Sequence, residues 1–82
     1  MINVTLKLFG PLRDVVQRDE LQLQVPAPYK GETAFEVLTV SNPLLHRWRP
    51  SVRLAVNMEY TPFDHVLKSG DEICFIPPVS GG

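Results

Sequence analysis

The chain closes on Pro77-Pro78-Val79-Ser80-Gly81-Gly82, the segment whose residue types could do chemistry. Its two prolines hold the root extended, whereas its last two residues lack side chains and have the widest backbone freedom available. Six residues at full extension reach on the order of 20 Å, enough to set a chain terminus inside another protein while the body stays outside. The reacting group would then be the Gly82 carboxylate. An α-carboxyl ionises near pH 3.3 to 3.7, so it is roughly fully charged and a poor electrophile at neutral pH. Its oxygen can attack a phosphate of ATP, and a sulfur nucleophile can displace AMP from the acyl-adenylate to leave a thiocarboxylate. The sequence carries neither a Walker-type phosphate loop nor GxGxxG, so activation is expected from a separate, ATP-using protein. A terminal Gly-Gly arises by chance about once in 200 chains and could be only a frayed end, so the pair carries weight through its context.

Other chemistry-bearing residues read more plainly. Asp71 and Glu72 are consecutive strand residues that point to opposite faces, which suits turn and edge solvation better than an acid/base pair. His46 and His65 are far apart with no cysteine or carboxylate cluster to complete a metal set, so no metal site is expected. Cys74 is the single cysteine; it excludes an internal disulfide and a CxxC motif, and its strand context favours packing over reactivity. No cofactor is expected on this chain.

Composition narrows the partners. With 82 residues there is room for one domain, burying roughly 60 to 65 % of its unfolded surface. The net charge is -1, with 21 % charged and 44 % hydrophobic residues, and the short Arg47-Trp48-Arg49 group is too brief to track a phosphate backbone. Neither nucleic acid nor membrane is expected as a partner. No run approaches the roughly 20 apolar residues of a membrane span, and Met1 to Lys7 does not resemble a signal peptide. A cytoplasmic location is expected.

The elements that must position the tail follow from periodicity. Ile2, Val4, Leu6 and Leu8 alternate with Asn3, Thr5, Lys7 and Phe9, which predicts a half-buried strand stopped by Gly10-Pro11. Leu12 to Val16 allows one short helical turn. Leu21, Leu23 and Val25 predict a second strand and an N-terminal hairpin. Thr33-Ala34-Phe35-Glu36 has capping-box spacing and predicts a helix starting near Ala34, broken by Ser41-Asn42-Pro43. Leu44, Leu45 and Trp48 predict a second apolar helical face, with Trp48 in the core, closed by Pro50. Val52 to Val56 reads as a third strand, with Val52, Leu54 and Val56 opposite Arg53 and Ala55. Asn57-Met58-Glu59 reads as a turn, Tyr60-Thr61 as a short edge strand and Ser69-Gly70-Asp71 as another turn. In the last strand, Glu72 to Ile76, Ile73 and Phe75 face the core while Glu72, Cys74 and Ile76 face away. The order predicts an α+β domain over residues 1–76, a mixed sheet packed on one main helix, followed by an extended tail over 77–82.

Ala55-Val56-Asn57, Phe63-Asp64-His65, Leu67, Gly70-Asp71-Glu72 and Ile76-Pro77-Pro78-Val79-Ser80-Gly81-Gly82 together resemble the MoaD family, as does Leu8-Phe9-Gly10-Pro11-Leu12-Arg13-Asp14. That family is the small sulfur-carrier subunit of molybdopterin synthase, in the ubiquitin-like MoaD/ThiS superfamily. The resemblance implies a β-grasp fold and a terminal Gly82 that is adenylated by a MoeB-type adenylyltransferase and then thiocarboxylated from a sulfur donor system. It also implies a heterotetramer with a MoaE-type large subunit, which holds the acceptor site, so that this chain is non-catalytic and delivers sulfur to cyclic pyranopterin. Gly81 would let the tail thread. Phe9, Tyr60 and Ile76 match apolar family positions that pack against MoaE, and Pro77, Pro78 and Val79 continue that contact. The region from Val25 to Pro50 departs from the family, where one longer helix is usual. A carrier for thiazole, cysteine or tRNA thiolation, or a protein modifier ending in an isopeptide bond, would use the same terminus.

Overall fold

Alternation in the first strand is realised in β1 (Ile2–Leu8), where Val4, Leu6 and Leu8 are buried and Asn3 is exposed. The computed structural model describes residues 1–78. After β1 come α1 (Gly10–Val16), β2 (Glu20–Val25), α2 (Gly31–Ser41), a 3-10 helix (Pro43–Ser51), β3 (Arg53–Val56), β4 (Glu59–Thr61) and β5 (Glu72–Ile76). The five strands form one sheet in the order β2-β1-β5-β3-β4. β1 and β5 run parallel, and every other pair is antiparallel. The N-terminal hairpin pairs Ile2 with Val25 and Leu6 with Leu21.

One face of the sheet is closed by α2, whose Gly31, Ala34, Phe35 and Leu38 recur at helical spacing and are all buried. Phe35 anchors the core, edge-on to Phe75 at 5.0 Å and to Phe63 at 6.3 Å. Leu6, Leu8, Leu12, Leu45, Leu54 and Ile73 complete its largest buried members.

The helix starts three residues earlier than the capping box predicts. Lys30 is the N-cap, and no side chain caps the helix. Two backbone amides instead donate to a distant loop: Gly31 N–H to the His65 carbonyl (3.2 Å) and Glu32 N–H to the Phe63 carbonyl (2.9 Å). Carbonyls brought by the tertiary fold satisfy these two orphan donors, and Thr33 sits inside the first turn rather than at the cap. The close approach needs a glycine, because a Cβ at Gly31 would strike Leu54 Cδ2 and lie 3.2 Å from the Phe63 carbonyl oxygen.

After Pro43 the chain resumes as a 3-10 helix rather than an α-helix, and this changes which side chains meet the core. With three residues per turn, Leu45 and Trp48 eclipse one another. Leu45 is fully buried, Trp48 is half-buried against the core, and Leu44 is 63 % exposed. The expected apolar trio is therefore a pair. Arg49 ties this segment to α2 through a bidentate pair with Glu32 (2.6 and 3.0 Å), and its guanidinium lies 3.4 Å from the centre of the Phe63 ring.

β3 begins at Arg53, one residue later than read, and Ala55 is buried although it faces away from α2. Asn57 and Met58 carry φ of 49° and 72°, the pair of positive values that a two-residue type I′ hairpin requires, so Glu59 belongs to β4. Asn57 also accepts the Glu72 N–H and donates to Asp71, whose second oxygen accepts the Lys68 N–H. This network pins the hairpin turn to the turn before β5.

Candidate docking surface at the tail root

Because β1 and β5 are parallel, both leave the sheet on the same side. Leu8 pairs with Phe75, and Phe9 keeps extended backbone (φ -138°, ψ 156°), so the register continued by one residue sets Phe9 beside Ile76. Arg53 lies opposite Ile76 on the other flank. The next row back runs Lys7, Cys74, Ala55 and Tyr60. These are the side chains of the face that α2 does not cover, since Leu8, Phe75 and Leu54 point into the core.

That uncovered face is graded. Near the tail root it presents Phe9 (49 % exposed), Tyr60 (68 % exposed), half-buried Ile76 and Cys74, and buried Ala55. Further along it turns polar, with Gln22 donating to Thr5 Oγ1 (2.8 Å) and Lys7 paired with Glu72 at 3.5 Å. An apolar half-face beside the chain exit has the character of an interface core with a polar rim.

Of the site residues anticipated from sequence, Tyr60, Ile76, Pro77 and Pro78 line one open depression of about 610 Å³. Phe9 lines a neighbouring depression of about 420 Å³ with Lys7, Arg13, Asp19 and Glu20. Gly10, next to Phe9 in the chain, lies against Pro77: a Cβ at position 10 would stand 3.3 Å from Pro77 Cγ. Val79, Gly81 and Gly82 lie outside the described residues.

Two contributors escaped the sequence reading. Pro50, inside the last turn of the 3-10 helix, forms one wall of the larger depression, and Arg53 forms another. Arg53 was legible as an outward strand residue, but nothing local linked it to the tail; that link is its cross-strand pairing with Ile76.

The remaining ionisable groups behave structurally. Burial and the neighbouring Glu72 carboxylate push the Cys74 thiol up, against a smaller opposing effect of Lys7, so it is a weak nucleophile. Asp71 serves the turn network, and Glu72 pairs with Lys7. His46 and His65 are exposed, and among the described residues no three His, Cys, Asp or Glu side chains cluster to hold a metal ion. Among those residues, no helix is long and apolar enough to cross a membrane.

Comparison with known proteins agrees with this geometry. A profile of the ThiS family matches residues 6–82. The chain is 57 % identical over 84 residues to the molybdopterin synthase sulfur carrier subunit of Escherichia coli (strain K12), covering 96 % of this chain and 99 % of that one. It is 34 % identical over 85 residues to the subunit of the same name from Mycobacterium tuberculosis, covering 100 % of each. Among solved structures, the small archaeal modifier protein 1 (SAMP1) of Methanosarcina acetivorans superposes with a TM-score of 0.83 at 28 % identity, covering 100 % of this chain and 98 % of that one. With its ubiquitin-like β-grasp sheet and its match over nearly the whole length, the chain belongs to the ThiS family, in its MoaD branch.

Proposed function

We propose that this chain is the sulfur carrier of molybdopterin synthesis, working through its Gly82 carboxylate in the cytoplasm. The observation that carries the reading is the parallel pairing of β1 with β5, which delivers the tail root to the margin of an exposed apolar half-face. A partner can grip that face while the terminus reaches past it.

In this reading, a MoeB-type adenylyltransferase docks first. The Gly82 carboxylate oxygen attacks the α-phosphate of ATP, pyrophosphate leaves, and the acyl carbon becomes electrophilic. A sulfur donor system then supplies the nucleophile that expels AMP, leaving a thiocarboxylate. The same face next engages a MoaE-type large subunit, where the sulfur passes to cyclic pyranopterin. Gly81 keeps the tail narrow enough to thread, while Phe9, Tyr60, Ile76, Pro77, Pro78 and Val79 form the contact that holds it in place. The relatives' shared name, molybdopterin synthase sulfur carrier subunit, supports the choice of pathway.

A second reading is favoured by one finding. The archaeal modifier shares the fold over the full length, so the same terminus could end in an isopeptide bond to a lysine. Intact-mass spectrometry of the chain coexpressed with its activating enzyme separates the two. A gain equal to one oxygen-to-sulfur exchange at Gly82, with restored molybdopterin synthesis in a carrier-deficient strain, is the expected result. High-mass lysine conjugates without that exchange would replace the carrier reading with the modifier one.

A further inference from the structure

Of the cations lining the two depressions, Lys7 and Arg13 are paired with carboxylates, as is Arg49 further away. Lys7 pairs with Glu72, Arg13 with Asp19 and Arg49 with Glu32. Arg53 is exposed and, among the described residues, has no carboxylate within 4.0 Å. It is also the cation that lines the depression at the tail root, opposite Ile76 in register and beside Tyr60, Pro77 and Pro78.

A protein seated on this depression strips water from the guanidinium. Leaving a covered charge unpaired is strongly unfavourable, and a like charge set against it is worse. The covering surface must therefore carry an anion at this point. The ATP phosphates of the activation step are not that anion, because they act on Gly82, six residues beyond Ile76 in the sequence. A side-chain carboxylate fits, since the planar guanidinium fork donates two parallel hydrogen bonds to one.

We propose that the protein partner docking at the tail root presents a carboxylate side chain to Arg53, at the edge of an apolar socket for Tyr60 and Ile76. The pairing rests on the carrier reading above, because it requires a protein bound at this face. It fixes the angular position of the domain on its partner: apolar contacts at Tyr60 and Ile76 supply area, and one directional pair supplies register.

The test is calorimetric titration of the full chain against the large subunit of molybdopterin synthase from the same organism, at low and high salt. Arg53→Met should weaken binding about tenfold and Arg53→Glu about a hundredfold, with Arg53→Lys between the parent and Arg53→Met. Affinity of Arg53→Met should also fall less steeply with salt than that of the parent. A partner Asp or Glu changed to Arg that restores binding of Arg53→Glu identifies the carboxylate. Equal affinities of the parent, Arg53→Met and Arg53→Glu, with all three folded by circular dichroism, overturn the pairing alone. Failure of the parent to bind the large subunit overturns the carrier reading and the pairing together.

Discussion

Gly10 lies against Pro77 at the corner where β1 turns into α1 and β5 gives way to the tail, close enough that a Cβ on Gly10 would stand 3.3 Å from Pro77 Cγ. Gly10 also holds φ at +55°, which L side chains rarely adopt. Gly10→Ala is thus expected to lower stability by about 1 kcal/mol from backbone strain and to push the tail root off its course. Thermal melts and thiocarboxylate formation rates check the two effects separately. A Gly10→Ala chain with a lower melting temperature but parental rates would show that the contact does not aim the tail.

Gly31 is constrained by space. Since its missing Cβ would strike the buried Leu54 side chain beside the Phe63 carbonyl, Gly31→Ala overpacks the seat of α2. The expected loss is about 1 to 3 kcal/mol, or roughly 4 to 8 °C in melting temperature per kcal/mol for a domain of this size. A parental melting curve would mean that α2 can move away from β3 without cost.

The pair between Glu32 and Arg49 makes stability depend on pH. Hydrogen bonding to the Arg49 guanidinium holds the Glu32 carboxyl below the usual glutamate value, against a smaller opposing effect of burial. A folded-state pKa lowered in this way adds stability that is full above the unfolded value of about 4.3 and is lost as pH falls through the folded value. Because both side chains are partly exposed, the contribution is held to under about 1 kcal/mol. Glu32→Gln should melt slightly below the parent at neutral pH, with the difference vanishing in acid; a difference that persists at low pH would assign the effect to packing.

Phe9→Ala and Ile76→Ala are each expected to weaken binding of the large subunit by about 1 to 3 kcal/mol. Phe9 is half exposed, so its truncation should leave the melting temperature nearly unchanged, whereas half-buried Ile76 should show a modest loss. Calorimetric titration with parallel melts decides it. Parental affinity in both variants would remove the apolar half-face from docking.

At the terminus, deleting Gly82 or adding one residue after it is expected to abolish sulfur transfer and leave the melting curve intact. Gly81→Ala should remain folded and transfer more slowly, because the added methyl narrows backbone freedom and widens the tail. Normal transfer from a blocked terminus would refute terminal chemistry.

Strand identities were legible because a half-buried strand writes a period of two into its own residues: Val4, Leu6 and Leu8 inside, Asn3, Thr5 and Lys7 outside. The positive-φ turn at Asn57-Met58 and the proline-terminated β5 were readable for the same local reason. What the sequence by itself determined was the set of strands, the outward phase of Phe9, Arg53 and Ile76, and the character of the tail. Tertiary structure decided the rest, because each remaining feature depends on groups far apart in the chain. The start of α2 is set by carbonyls of Phe63 and His65 rather than by Thr33. Leu44 faces solvent because the segment after Pro43 winds with three residues per turn. Arg53 joins the tail root only through the pairing of β3 with β5, and Phe9 only through the parallel alignment of β1 with β5. No local propensity encodes such neighbours, since strand pairing across a sheet is chosen by the packing of the whole core.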